Sequence, residues 1–363
     1  MDKVAIVCLN LSQTGGVEKV SEQLCNEFVC LYQVHLIGII CGERKTPLLL
    51  DERVKISYLF NEEKRTRDFF FTGAFRLKRY CEAKEIKYII FQGEGAAILS
   101  ILLKKISKIK CIYCDHGAIN YQFSNIKDKE KTFNTIKLIA KSVDKVVTLT
   151  EDSREGYVNL LKINKDKIDN IYNFMNPKFF QQDYDENSKK IITVARLENG
   201  KGLEYLMMIA EKVLRNNIDW QWDLYGNGSM SDYIIAEIKR RQLNDQFNLI
   251  ENINDLSNIY RKYSFYVMTS LHEGLPMVLL EAKASSLPII AFNIKSGPSE
   301  IIINGVNGDL VENLNLNSMI EKVEKLMTNT KQRVFYSNHA YDNINNFTAE
   351  SVVKKWKTLI DSL

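Results

Sequence analysis

The segment FYVMTSLHEGLPMVLLE, residues 265–281, combines three kinds of local structure within 17 residues. FYVMTS is an unbroken apolar run of the kind found in strands that are buried on both faces. LHEGL carries the turn residue Gly274, and Pro276 suits the first position of a helix, where its missing N–H costs nothing. The segment therefore predicts a strand, a turn and a helix over about 276–286, which is the repeating unit of a parallel α/β sheet.

The same alternation runs through most of the chain in two blocks. Apolar runs such as VAIVCLNL and VHLIGIIC each border an amphipathic helical segment. The alternation stops in the polar, proline-containing stretch 173–190 and restarts at IITVA. We therefore predict an α/β chain of two Rossmann-like, doubly wound parallel-sheet domains, 1–172 and 191–346. The two would face each other across a cleft and be joined by a linker over 173–190.

The last segment, 347–363, has helical periodicity and no strand of its own to cover. One face of this segment is formed by Val352, Val353, Trp356, Leu359 and Ile360. We expect the helix to cross back and pack on the N-terminal domain. A length of 363 residues exceeds what one hydrophobic core usually serves, which agrees with two domains.

Composition places the chain among soluble globular proteins, with 45% hydrophobic and 26% charged residues. The longest apolar run, AAILSILL at 96–103, is far shorter than the roughly 20 residues that span a bilayer. The N-terminal residues MDKVAIVCLNL are typical of a strand rather than of a signal peptide. The seven cysteines, an odd number in a long chain, favour a reducing compartment. We expect a cytoplasmic protein.

Charge is unevenly distributed, although the formal net charge is only +4. Lysines crowd the segment 104–145, where acidic residues are few. Such a run is most often a solvated helix face. The alternative is attraction to an anionic membrane surface or to a phosphate-bearing acceptor. Nucleic acid is a poorer partner, because aromatic residues are not interleaved with these lysines.

The stretch at 265–281 also carries two glutamates whose spacing suits a nucleotide sugar. The first turn of the predicted helix offers unpaired backbone N–H groups to an anion, and Gly274 allows a phosphate close to the backbone. Glu281 lies about five residues further on, a rise of roughly 7.5 Å, which resembles the span of a diphosphate between two sugars. Each carboxylate, Glu273 and Glu281, accepts hydroxyl hydrogen bonds. Taken alone, the stretch is equally compatible with a helix start and two incidental acidic residues.

Two cations follow the first strand of the second domain. VARLENGKGLEYL, residues 194–206, ends a strand near Arg196 and begins a helix at about Lys201 and Gly202. A guanidinium and an ammonium at the carboxyl edge of the sheet can neutralise a departing diphosphate. GNG, from Gly226, is predicted to be a strand-to-helix turn at the same edge.

The first domain contributes weaker signals. Gly15 and Gly16 lie between a strand and a helix, but the loop lacks G-x-G-x-x-G spacing and no acidic residue marks a ribose site about 20 residues on. A dinucleotide oxidoreductase is therefore disfavoured, and the absence of a P-loop motif excludes that class of NTPase. His116 follows the strand CIYCD; a lone histidine is usually a core or surface residue. In the cleft it would bond the transferred sugar or orient the acceptor.

Read together, GGVEKV, DHG, VARLENGKG, LYGNG, EGLPMVLLE and GPSEIIINGVNGDLV resemble, in order and spacing, the family 4 glycosyltransferases, which are retaining enzymes of the GT-B fold. The resemblance covers nearly the whole chain and is densest in 190–312. SGPSE at 296–300 stands where the family often has Gly-Gly-x-Pro-Glu. This departure resembles a branch that acts on cell-wall and capsule polysaccharides.

The resemblance implies a role for each site residue. Glu273 would contact the donor sugar and Glu281 the ribose, while Arg196 and Lys201 would hold the diphosphate. The implied catalytic residues are His116, Glu273, Arg196 and Lys201. The implied donor-binding residues are Gly15, Gly16, Arg196, Lys201, Gly226, Glu273, Gly274, Leu275, Pro276, Met277 and Glu281. The family needs no metal and no cofactor beyond the nucleotide sugar as co-substrate, and no Asp-x-Asp pair directly follows a predicted strand here.

The expected function is that of a metal-independent retaining hexosyltransferase. It would move a sugar from a nucleotide-diphosphate sugar, with a UDP-sugar favoured, to a hydroxyl of a glycan or lipid-linked polysaccharide acceptor. The lysine-rich segment 104–145 would allow peripheral association with the inner face of the cell membrane. Two alternatives stay open: a GT-B phosphorylase or disaccharide synthase with a soluble acceptor, and a non-catalytic two-lobe sugar-binding protein, which would be expected to carry an export signal.

Overall fold

The computed structural model of the protein describes residues 1–12, 15–41, 47–62, 66–119, 129–180, 183–251 and 255–363. It divides into two compact units. Unit 1 consists of Met1–Asn173 and Ala349–Leu363, and unit 2 consists of Phe174–Thr348. The stretch that the sequence suggested as a linker belongs to unit 2 from Phe174 onward.

Unit 1 is built on a sheet of seven parallel strands in the order β3-β2-β1-β4-β5-β6-β7. The strands are β1 Lys3–Asn10, β2 Gln33–Ile40, β3 Lys55–Phe60, β4 Tyr88–Gln92, β5 Lys110–Asp115, β6 Lys145–Thr148 and β7 Ile168–Asn170. In the described part of unit 1, the helices before the C-terminal one are α1 Gly16–Phe28, α2 Thr66–Lys84, α3 Glu94–Ala97, α4 Leu99–Ile106, α5 Lys129–Ser142 and α6 Glu151–Asn159. The apolar run Val4–Cys8 of the central strand β1 is completely buried, because helices cover both faces of the sheet.

Unit 2 repeats the plan with six parallel strands in the order β10-β9-β8-β11-β12-β13. These are β8 Lys190–Val194, β9 Gln221–Tyr225, β10 Phe247–Ile250, β11 Phe265–Met268, β12 Ile289–Asn293 and β13 Gly308–Glu312. Its helices are α7 Leu203–Arg215, α8 Ser231–Arg240, α9 Met277–Ala284, α10 Pro298–Ile301, α11 Leu316–Thr328 and α12 Thr330–Asn338. The prediction of two Rossmann-like parallel-sheet domains is confirmed.

The C-terminal helix α13, Ala349–Asp361, belongs to unit 1. Trp356 is almost fully buried and meets Phe28 of α1 edge to face, with ring centroids 6.2 Å apart. Lys355 lies over the ring of Tyr172, with its Nζ 5.5 Å from the centroid. The predicted return of this helix to the N-terminal domain is confirmed.

Each sheet has a switch point, where the strand order reverses. It lies between β1 and β4 in unit 1 and between β8 and β11 in unit 2. Ligands of open α/β sheets bind outside the carboxyl ends of the strands at such points. In unit 2 the loops concerned are 195–202 and 269–276, which contain both predicted cations and the first predicted glutamate.

Two predicted helix boundaries were wrong by one or two residues. The helix expected at 276–286 is Met277–Ala284, and Pro276 is its extended N-cap with φ −72° and ψ 105°. The helix ends early because Ser286 takes a left-handed conformation with φ 55°, and Leu287 donates back to the carbonyl of Ala282 over 3.0 Å. The helix expected from Lys201 or Gly202 begins at Leu203, because Gly202 is left-handed with φ 64°.

Candidate active site

The centre of the candidate site is an ion pair between two loops of unit 2. Lys201, in the loop after β8, places Nζ 2.7 Å from Oε1 of Glu273, in the loop after β11. The two side chains are only 18% and 15% exposed. The two loops flank the switch point, so the sheet topology delivers both charges to the position where a ligand is expected.

Gly202 allows these loops to approach each other. A Cβ at this position would overlap the carbonyl oxygen of Thr269, and the left-handed φ of 64° also favours glycine. The amide of Leu271 donates to the carbonyl of Gly200 over 2.9 Å, which ties the same loops together. Because Gly202 has no side chain, the two loops come close enough for Lys201 to contact Glu273.

A second glycine supports the turn that carries Glu273 from the other side. Gly297, in the loop between β12 and α10, has a φ of 100°. A Cβ there would lie 2.5 Å from the carbonyl oxygen of Gly274 and 2.6 Å from Cδ of Pro276. The SGPSE segment therefore packs directly on the turn before α9.

Arg196 is exposed in the loop after β8, and its neighbours are held by the GNG turn. Leu197 donates its amide to the carbonyl of Asn227 over 2.8 Å, and a Cβ at Gly226 would overlap the carbonyl oxygen of Ala195. Glu198 accepts hydrogen bonds from the amide and hydroxyl of Ser229, and these bonds lower the pKa of its carboxyl. Gly226 therefore has a packing role that supports the Arg196 loop.

Helix α9 carries the second glutamate. Leu275 and Pro276 are buried at its start, and Glu281, its fifth residue, is partly buried. The hydroxyl of Tyr260 donates to Oε2 of Glu281 over 2.9 Å. Sequence reasoning missed Tyr260, because a tyrosine 21 residues before its partner forms no local pattern.

Unit 1 presents its predicted residues at the carboxyl ends of β1 and β5. Gly15 is the N-cap of α1, and Gly16 is exposed, with no atom within 4 Å of an added Cβ. His116 follows β5, and its Nε2 lies 2.6 Å from Oε1 of the buried Gln92 at the end of β4. Burial lowers the pKa of His116 to about 4, so its imidazole is neutral at physiological pH.

Comparison with known proteins identifies the two halves. Residues 14–179 match the family model described as Glycosyltransferase Family 4, and residues 175–343 match Glycosyl transferases group 1. The chain belongs to the GT-B glycosyltransferases. The matched segments divide near residue 175, where unit 1 gives way to unit 2.

Two relatives of this glycosyltransferase and one solved structure of the same fold illustrate the similarity. The amylovoran biosynthesis glycosyltransferase AmsD of Erwinia amylovora is 26% identical over 99% of this chain and 100% of its own length. A poly(ribitol-phosphate) alpha-N-acetylglucosaminyltransferase of Staphylococcus aureus is 30% identical over 61% of this chain and 45% of its own length. The structure of HepE from Anabaena in complex with UDP superimposes with a TM-score of 0.84 at 15% identity, covering all of both chains.

The lysine-rich segment of the glycosyltransferase is partly paired. Lys104 binds Asp144 over 2.8 Å, and Lys145 binds Asp169 over 3.0 Å. Exposed lysines of the segment are Lys105, Lys108, Lys131 and Lys141, while Lys127 lies outside the described residues. Among the described residues, no helix is long and apolar enough to cross a membrane. Over the same part of the chain, no three His, Cys, Asp or Glu side chains gather as metal ligands would.

The role of Gly202 can be tested against a glycine with a similar backbone. We expect Gly202→Ala to destabilise the protein more than Gly305→Ala, because Gly305 has a φ of 78° but open space around it. In both variants the strained backbone should lower the free energy of unfolding by about 1 kcal/mol. In Gly202→Ala, overpacking against Thr269 should lower it by about 1–3 kcal/mol more. Urea unfolding of the full chain measures the difference. Equal losses for the two variants would show that the approach to Thr269 is unimportant.

Proposed function

We propose that this glycosyltransferase moves a sugar from a UDP-sugar to a hydroxyl of a polysaccharide or lipid-linked acceptor, with retention at the anomeric carbon. The observation that carries the proposal is the Lys201–Glu273 ion pair beside the N-terminal end of α9, at the switch point of unit 2. UDP is favoured because HepE binds it. A polymeric acceptor is favoured because one relative is named for amylovoran biosynthesis and another for poly(ribitol-phosphate).

The donor would bind through charge and hydroxyl recognition in unit 2. The N-terminal end of α9 offers the backbone N–H groups of Gly274, Leu275 and Met277 and the positive end of the helix dipole to the diphosphate. Lys201 retains donors for a phosphate oxygen while it pairs with Glu273, because an ammonium has three. Glu273 would accept hydroxyls of the transferred sugar, and Glu281 those of the ribose.

Catalysis would come mainly from stabilising the negative charge on the leaving diphosphate. The bond from the anomeric carbon to the diphosphate oxygen breaks, and its electron pair leaves with the diphosphate. Arg196 and Lys201 would stabilise the charge that grows there, typically by a few kcal/mol for each donor. The acceptor hydroxyl attacks from the same face, and its proton passes to the departing phosphate oxygen. Two protein cations would thus act where other enzymes use a metal ion.

Unit 1 carries three further residues for which we propose ligand contacts. We propose that His116 binds the transferred sugar or the acceptor as a neutral imidazole, since burial holds its pKa near 4. For Gly15 and Gly16 we propose contacts to the phosphates through the backbone. The exposed lysines of the 104–145 segment are proposed to bind anionic lipid on the inner face of the cell membrane, so that a cytoplasmic enzyme can reach a lipid-linked acceptor.

A nucleotide panel tests the proposed donor class. We expect UDP, in the presence of EDTA, to raise the free energy of unfolding by about 2.7 kcal/mol at 100 times its Kd, with GDP and ADP giving smaller effects. Thermal unfolding of the full chain measures the shift. No shift with any nucleotide would remove the assignment of the site. A UDP shift that appears only with Mg²⁺ would remove the metal-independent mechanism.

Substitution of Lys201 tests the stabilisation of the leaving group. We expect Lys201→Ala to reduce turnover of the UDP-sugar at least about a hundredfold, the usual effect of losing one transition-state donor. Lys212→Ala, at an exposed position of α7, is the matched control and should keep normal turnover. The rate of UDP release reports both values. Near-normal release by Lys201→Ala would exclude the residue from the chemistry.

Liposome co-sedimentation tests the membrane proposal. Lys105→Glu combined with Lys108→Glu should abolish binding to vesicles that contain anionic lipid, because exposed charges give most of such affinity. Raising the salt concentration should weaken wild-type binding, because salt shortens the range over which the lysines attract anionic lipid. The control variant carries the same two charge reversals in unit 2, Lys212→Glu and Lys239→Glu, and should keep its binding. Binding that survives both the double variant and high salt would contradict the proposal.

A further inference from the structure

Tyr260 lies between β10 and β11, where its ring is held by the packing of its neighbours. It begins a short 3-10 helix, Tyr260–Lys262, and its side chain is completely buried. Its ring stacks on Tyr266, with centroids 6.2 Å apart and planes 18° apart, and meets the edge of Phe179 at 5.6 Å. These contacts fix where the hydroxyl points, because the ring cannot turn without disturbing its neighbours.

The hydroxyl points at Glu281. It donates to Oε2 over 2.9 Å, and a hydrogen bond to an ionised carboxylate is stronger than one between neutral groups. Burial, and then the nearby Glu281 carboxylate, raise the pKa of Tyr260 well above its usual range. Tyr260 therefore keeps its proton at physiological pH and acts as a hydrogen-bond donor to Glu281.

A fixed hydrogen bond matters because a glutamate side chain is flexible. A carboxylate that must receive two adjacent hydroxyls has to present a defined plane, and rotation about the side-chain bonds changes that plane. Holding Oε2 settles the orientation. The carboxylate has about four lone-pair positions in total, so this bond is compatible with further hydrogen bonds from a ligand.

We propose that Tyr260 is a positioning residue whose hydroxyl holds the Glu281 carboxylate in the orientation that accepts the ribose hydroxyls of the nucleotide. The inference rests on the proposed function and specifies how its ribose subsite is organised. Tyr266, which stacks on Tyr260, uses its own hydroxyl differently, donating to the carbonyl of Val194 over 2.9 Å. The ring of Tyr266 supports Tyr260, while the hydroxyl of Tyr260 serves the glutamate.

The test compares two nucleotides that differ only in the ribose. Calorimetry on the full chain gives the Kd of UDP and of 2′,3′-dideoxy-UDP for wild type, Tyr260→Phe, Glu281→Gln and Tyr263→Phe. Tyr263→Phe is the matched control, because it also removes a buried hydroxyl that donates to a carboxylate, here Asp223 over 2.6 Å. Unfolding without ligand checks that each variant is folded. If Tyr260→Phe is unstable, Glu281→Gln still tests the same hydrogen bond from the carboxylate side.

Wild type should bind UDP more tightly than the dideoxy nucleotide. Tyr260→Phe should raise the Kd of UDP about three- to tenfold, the change that corresponds to the net free energy of one typical hydrogen bond, and leave the Kd of dideoxy-UDP unchanged. Tyr263→Phe should keep the wild-type ratio of the two values. Adding Tyr260→Phe to Glu281→Gln should have no further effect on UDP binding.

Other results would overturn the inference in distinguishable ways. If Tyr260→Phe weakens both nucleotides equally, or neither, the residue has a structural role alone. If wild type binds UDP without distinguishing the dideoxy form, there is no ribose contact to position. If wild type fails to bind UDP at all, the proposed function itself is wrong. That outcome is seen in the wild type alone and is therefore distinct from a failure of the Tyr260 proposal.

Discussion

The ion pair between Lys201 and Glu273 is the interaction on which the candidate site depends. It joins loops from β8 and β11, which the sheet order places side by side at the switch point. The loops reach each other because Gly202 lies against the Thr269 carbonyl, where any side chain would collide. The charges that the site needs are therefore set by backbone geometry, and a sequence with the same charges but a larger residue at 202 would not bring them together.

The pair also suits a site that waits for a negatively charged ligand. Both side chains are largely removed from water, and each offsets the cost of burying the other. The lysine keeps hydrogens for a phosphate, and the carboxylate keeps lone pairs for sugar hydroxyls. Arg196 differs because it is exposed, so it can reach for a diphosphate at little desolvation cost.

Sequence periodicity predicted both sheets, because strands covered on two faces read as unbroken apolar runs such as VAIVC and FYVM. It also predicted that Lys201 and Glu273 would share one edge, since each follows a strand of the same parallel sheet. Helix ends were less accurate, because Pro276 and Gly202 take cap conformations that depend on neighbouring loops. The contacts of Tyr260 with Glu281, and of Gln92 with His116, join distant segments, and only the folded chain reveals them.

The proposed donor site requires a pyrophosphate to bind at the start of α9, between the side chains of Lys201 and Arg196. A crystal structure of the enzyme soaked with a UDP-sugar tests this most directly. We expect density for the two phosphates at the backbone amides of Gly274, Leu275 and Met277, with the ribose at Glu281. Density for the nucleotide at any other place, with this position unoccupied, would contradict it.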